Sequence, residues 1–142
     1  MRARAALTAG WTAAALIVLL GGCSLTPALL EDRSEDASQN YADDYQKVYL
    51  RLIDTATRCL TRHNINAARM AVESDIHQEA GFGVVRFVVH GILNSNYFVS
   101  AKIEKMGQGS RVSVKTNNAM ISNRLDKMVF RWAGGDQECQ QQ

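Results

Sequence analysis

Four runs of strand-forming residues follow one another between residues 70 and 116, and only short turns separate them. The runs cover residues 70–77, 82–93, 97–106 and 111–116, and they either alternate between apolar and polar residues or are rich in Val, Ile and Phe. A period of two is typical of a strand with one buried face. Turns this short join neighbouring antiparallel strands. The pattern therefore predicts a four-stranded antiparallel β meander.

Amphipathic helical patterns lie on both sides of this meander. Between Ser38 and about His63 the apolar residues recur at helical spacing, with charged residues on the opposite side. The same spacing returns over residues 119–133, and Gly134 and Gly135 end it. The predicted fold class is therefore α+β, with an N-terminal and a C-terminal helix packed on one face of the sheet in the order α-β-β-β-β-α.

The N-terminus has the order of an export signal. Arg2 and Arg4 precede an apolar run at residues 11–20, and small residues then lead to a cysteine. The apolar run is shorter than the roughly 20 residues that cross a bilayer as a helix, which favours a removable signal over a permanent span. The residues before the cysteine resemble the lipobox of bacterial lipoproteins, Leu20-Gly21-Gly22-Cys23.

In that family the signal peptide is cut before the cysteine, which carries acyl chains on its sulfur and on its new amine. The resemblance implies a signal peptide over residues 1–22 and a membrane anchor on Cys23, since several acyl chains hold far more firmly than one. Ser24 stands where enteric members retained in the inner membrane have Asp. The resemblance thus implies the bacterial outer membrane, with the protein facing the periplasm. An ordinary secretory signal that happens to precede a cysteine is the alternative.

One domain is expected after the signal. Residues 23–37 contain the single proline, Pro27, and show no sustained periodicity, which is typical of a flexible tether behind a lipidated N-terminus. Residues 38–142 suffice for one α+β periplasmic domain and are too few for two. Without Arg2 and Arg4 the mature chain has 14 basic and 14 acidic side chains, so its charge does not indicate nucleic acid as a partner.

Two cysteines remain besides Cys23, and we expect Cys59 and Cys139 to be bonded to each other, because disulfides form and persist in the compartment of an exported chain. This bond requires the C-terminal tail to return to the end of the first helix. The two helices should therefore lie side by side on the same face of the sheet. A redox or catalytic thiol is the alternative, but the Cys-x-x-Cys spacing is absent.

Alternation fixes which residues lie on the sheet face away from the helices. Most are polar, but four apolar side chains lie among the charges and could form a strip that binds a partner. Scattered surface hydrophobes, or partial cover by the tether, are the alternatives. The candidate binding face consists of Val84, Arg86, Val88, His90, Ile92 and Phe98.

We find no catalytic or cofactor motif in the sequence. His63, His77 and His90 have no metal-ligand spacing such as His-x-x-x-His, so no metal and no cofactor are expected. A hydrolase would need His90 to converge with a carboxylate and a hydroxyl, and we expect no such convergence. An enzyme is therefore the unfavoured class.

The sequence indicates a non-catalytic envelope lipoprotein that acts as a structural or accessory protein-binding module, held to the membrane through Cys23 and bound to another envelope protein. Its layout resembles that of small accessory lipoproteins of outer-membrane assembly and secretion machines. The alternative is a lipoprotein that binds a small ligand, such as a lipid, a peptide or a glycan. Spare volume beside Tyr45, Phe87 and Trp132 would favour the ligand, whereas a filled core with an apolar strip around Val88 and Phe98 would favour the protein partner.

Overall fold

The computed structural model describes residues 26–32, 37–61, 64–65, 68–117 and 120–139. The elements are α1 (Pro27–Glu31), β1 (Ala37–Tyr41), α2 (Tyr45–Leu60), β2 (Asn64–Ile65), β3 (Ala68–His77), β4 (Phe82–His90), β5 (Ser95–Met106), β6 (Gly109–Thr116) and α3 (Ser122–Gly134). The predicted signal peptide, Cys23 and His63 lie outside these residues. Within the described part of the chain, no helix is long and apolar enough to cross a bilayer.

Over the described ranges the sheet is antiparallel and has six strands in the order β1-β6-β5-β4-β3-β2. Its centre, β3 to β6, is the predicted meander, so the α+β class is confirmed. The number of strands differs from the prediction because two strands join the edges. Ala37 of β1 pairs with Val114 of β6, and the two-residue β2 pairs with the start of β3.

The strand β1 takes residues that the sequence pattern assigns to the first helix. That helix, α2, begins only at Tyr45, because the carboxylate of Asp44 caps it by accepting a hydrogen bond of 2.9 Å from the main-chain nitrogen of Gln46. Tyr41 lies one helical turn before Tyr45 in sequence, yet its hydroxyl donates to the carbonyl of Phe130 on α3 at 2.8 Å. A tertiary contact thus overrides the local helical pattern.

The main core lies between the sheet and the two long helices. Both α2 and α3 pack on the same face and contact each other, as predicted. Tyr45, Phe87 and Trp132 are almost completely buried there. Cys59, in the last turn of α2, and Cys139, beyond α3, form the predicted disulfide, with their Cα atoms 5.2 Å apart.

A β-bulge between β4 and β5 changes which side chains face the core. Phe87 pairs with Val99, whereas Val88 pairs with Tyr97, so Phe98 is an extra residue on β5. Phe98 packs against the core, with its ring centroid 6.1 Å from that of Phe87. The prediction that Phe98 belongs to the binding face is therefore wrong, because strict alternation does not hold across a bulge.

The short helix α1 lies on the opposite face of the sheet, against β5 and β6. Its Leu30 is completely buried but does not belong to the core cluster beneath α2 and α3. Pro27 is at the start of α1, and the hydroxyl of Thr26 caps it. This part of the segment predicted as a flexible tether is thus helical and packed on the domain.

Candidate binding site

We call the sheet face away from α2 and α3 the open face. The register aligns its side chains in rows across β3, β4, β5 and β6, and directly opposed side chains in such rows lie within contact distance. The first row is Glu73, Arg86, Ser100 and Lys115, the second is Asp75, Val84, Lys102 and Ser113, and the third is His77, Phe82, Glu104 and Arg111.

A pocket of about 400 Å³ opens across these rows. This volume is in the range of sites that take small ligands. Three of the lining residues are permanently cationic, and none of the eight carries a carboxylate. They are His77, Phe82, Val84, Arg86, Ser100, Lys102, Ser113 and Lys115. The lining itself therefore carries positive charge and suits an anionic group, although Asp75 and Glu104 of the same rows pair with two of its cations.

Two of the cations are held in position by neighbouring groups. Arg86 Nη1 lies 2.6 Å from Asp75 Oδ2, and the carboxylate is far more exposed than the guanidinium, with side-chain exposures of 59% and 15%. Lys102 Nζ lies 2.6 Å from Glu104 Oε1 and 5.0 Å from the ring centroid of Phe82. These contacts order the two side chains before any ligand binds, which lowers the entropy cost of binding.

Two serines lie among these cations and are nearly inaccessible to solvent. Ser100 and Ser113 are only 4% and 3% exposed, although their register places them on the open face. Within the described part of the chain, the hydroxyl of Ser113 has no hydrogen-bond partner. Leaving a buried hydroxyl unpaired costs about 1–3 kcal/mol. A bound ligand with an acceptor oxygen would remove this cost.

The six residues of the predicted binding face are not all brought together. Val84 and Arg86 line the pocket, but Val88 is completely buried, so it belongs to no exposed apolar strip. Ile92 lies beyond β4 in the turn to β5 and is 84% exposed. Strand alternation also assigns Ser100, Lys102, Ser113 and Lys115 to this face. The sequence pattern does not show that these four residues lie together across the strands, because that depends on the strand register.

His90 does meet a hydroxyl and a carboxylate, contrary to expectation. Its Nδ1 atom lies 2.8 Å from Ser95 Oγ, and its Nε2 atom lies 3.6 Å from Glu73 Oε1. Tyr97 donates a hydrogen bond of 2.9 Å to Glu73 Oε2. Burial, and then the neighbouring Glu73, raise the pKa of Tyr97, so this phenol stays protonated as a donor.

We interpret this group as a polar network that fastens the β4–β5 hairpin. The separation of Glu73 from the imidazole exceeds hydrogen-bond distance. Glu73, His90 and Ser95 are all absent from the pocket lining, and a triad needs an adjacent cleft with oxyanion donors. Among the described residues, no group of three or more His, Cys, Asp and Glu side chains is placed to hold a metal ion.

Comparison with known proteins gives no independent indication of a ligand. No protein-family model matches the chain, and no match is found among curated proteins or among solved structures. A functional conclusion for this chain therefore depends on its own residues and their geometry.

Proposed function

We propose that this chain is a non-catalytic lipoprotein of the bacterial outer membrane, anchored through Cys23 and facing the periplasm, which acts by binding another envelope component. The resemblance of residues 20–23 to a lipobox supports the anchor. The disulfide between Cys59 and Cys139 supports an oxidising compartment. The pocket on the open face supports a role in binding.

The single observation that carries the binding role is the convergence of Arg86, Lys102 and Lys115 on one pocket that also contains the unpartnered hydroxyl of Ser113. This geometry favours a small anionic ligand over an accessory protein partner. Among the described residues, Val88 is buried and Phe98 packs against the core, which does not support the apolar strip that would favour the protein partner.

The anchor is tested by replacing Cys23 with Ser in cells and separating membrane from soluble periplasmic fractions. The unsubstituted protein should remain with the outer membrane and incorporate labelled palmitate, and Cys23→Ser should appear in the soluble fraction. A Cys23→Ser protein that stays on the membrane, or an unsubstituted protein found in the cytosol, would overturn the proposal.

The binding surface is tested with a photo-crosslinking residue in place of Lys102. The same residue in place of Asp54, which is exposed on α2, is the control. Adducts of small mass at position 102, and none at position 54, would support ligand binding in the pocket. A protein-sized adduct specific to position 102 would instead favour the accessory protein-binding module, and equal yields at both positions would contradict the assignment of the open face.

A further inference from the structure

We infer, on the basis of the proposed function, that the pocket binds the phosphate-bearing headgroup of an anionic phospholipid in the same membrane that anchors the protein. Two independent observations point to this occupant. One is the short length of chain between the anchor residue and α1, and the other is the chemistry of the pocket.

The first observation concerns distance from the membrane. Only four residue steps separate Cys23 from Pro27, the first residue of α1. A chain spans at most about 3.6 Å per residue, so these steps reach about 14 Å at most. Because α1 packs against β5 and β6 and buries Leu30, an acylated Cys23 would keep α1 and the strands beneath it close to the bilayer surface. A free tether over residues 23–37 would have allowed about 50 Å.

The second observation concerns the ligand's chemistry. Arg86 presents a planar fork of donors, Lys102 and Lys115 add compact positive charges, and both types of group bind phosphate oxygens. Ser113 can donate its unpartnered hydroxyl to a further oxygen of the phosphate. Phe82 and Val84 give the pocket an apolar wall, against which the carbon atoms of a glycerol backbone can pack.

The positive charges of Arg86, Lys102 and Lys115 are attracted to a bilayer surface that contains anionic lipids. Anionic lipids concentrate basic side chains near the membrane, and the attraction falls off within a Debye length of roughly 8–10 Å. The open face of an anchored protein lies within or near that range. An anionic headgroup would therefore be available close to the pocket of an anchored protein.

The inference is tested with the mature chain, residues 23–142, carrying Cys23→Ser, so that no acyl chain contributes to binding and every described residue is retained. Its sedimentation with vesicles of phosphatidylcholine is compared with sedimentation on vesicles that also contain phosphatidylglycerol. We expect binding only when phosphatidylglycerol is present. Equal binding to both vesicles, or binding to neither, would overturn the inference.

Two substitutions separate a specific site from general attraction between charges. Lys102→Gln should lower the affinity for the anionic vesicles about fivefold, the effect typical of one basic residue at a membrane surface. Lys47→Gln is the matched control, because Lys47 is also a lysine in an ion pair but lies on α2. It should leave the affinity unchanged. Equal losses for the two variants would mean that the pocket is not the site.

Ser113→Ala gives the sharpest result, because it removes a hydroxyl without changing charge. We expect about a threefold or larger loss of vesicle binding. Thermal unfolding should be unchanged or shifted to higher temperature, since the removed hydroxyl is buried and has no partner in the described chain. Unchanged binding would overturn the headgroup site.

Inorganic phosphate and glycerol 3-phosphate distinguish a lipid from a soluble anion. If either perturbs the resonances of Ser100 and Ser113 while anionic vesicles do not bind, the ligand is soluble and the inference is wrong. The proposed anchored binding function would remain in that case, because fractionation of the Cys23→Ser variant tests it separately.

Discussion

The ring of Tyr49 on α2 lies directly against Gly83 on β4, so that a β-carbon at residue 83 would come within 2.5 Å of Tyr49 Cδ2. Tyr49 is only 5% exposed and has little room to move. We predict that Gly83→Ala lowers the free energy of unfolding by about 1–3 kcal/mol through overpacking, as measured by urea denaturation. Gly134→Ala is the control. Its β-carbon would make an ordinary contact of 3.6 Å with Tyr41, and alanine favours the helix. Equal stability of both variants would refute this packing.

Asp43 positions Arg51 of α2, which in turn contacts the end of α3. We expect this interaction to make the stability of the fold depend on pH. Arg51 donates one hydrogen bond to Asp43 Oδ2 at 2.7 Å and another to the carbonyl of Ala133 at 2.8 Å. Hydrogen bonds from Lys47 and then Arg51 hold the pKa of Asp43 below its usual value. A lowered folded pKa stabilises the protein above the unfolded pKa of about 3.9, and this contribution disappears as the pH falls through the folded pKa.

Asp43→Asn should therefore lower the melting temperature near pH 7 and make less difference at a pH below the folded pKa of Asp43, where the native carboxylate is also neutral. Thermal unfolding followed by circular dichroism across this range checks the prediction. Asp54→Asn, on the same helix, is the comparison variant. A melting temperature reduced by the same amount at both pH values would show that Asp43 acts through packing and not through its charge.

The disulfide should contribute much of the domain's stability. Closing the 80-residue separation between Cys59 and Cys139 restricts the unfolded chain, and the chain-entropy model gives about 4–5 kcal/mol for a loop of this length. We predict that Cys139→Ser loses up to this amount in urea unfolding and that a reducing agent lowers the stability of the unsubstituted protein equally. Non-reducing mass spectrometry should recover the two cysteine peptides linked. Free thiols at both residues in exported protein would contradict the pairing.

Ser95 provides a direct test of the non-catalytic interpretation. Its hydroxyl lies 2.8 Å from His90 Nδ1, which is the contact a serine nucleophile would need. We predict no covalent labelling of Ser95 by a fluorophosphonate, because the group that aligns His90 lies beyond hydrogen-bond distance. Peptide mass spectrometry checks this, with Ser95→Ala as the blank. A stoichiometric adduct on Ser95 would make the chain a candidate hydrolase.

The features that follow from local patterns could be predicted from the sequence. Alternation and short turns predicted β3 to β6, and helical spacing predicted α2 and α3. The strand β1 could not be predicted, because Tyr41 continues the helical spacing of Tyr45 and only the pairing with β6 makes it a strand. Leu30 likewise lacks a recognisable local pattern, and its burial depends on a distant surface.

The pocket depends on contacts between strands, which explains why only part of it could be predicted. Alternation places Lys102 and Ser113 on the open face, but their direct pairing depends on the register of β5 and β6. The bulge at Phe98 is equally non-local, since one extra residue exchanges the faces of Phe98 and Tyr97. The sequence pattern alone therefore leaves Lys102 and Ser113 as separate polar residues on two strands.

The sequence separation of the two bonded cysteines also determines how early their disulfide can form during synthesis. A ribosome adds about 5–20 residues per second. Cys139 is therefore synthesised roughly 4–16 seconds after Cys59, because the two are 80 residues apart. Until Cys139 has been made, Cys59 lacks the cysteine to which it is bonded in the folded domain. A chain that ends before Cys139 cannot form this bond.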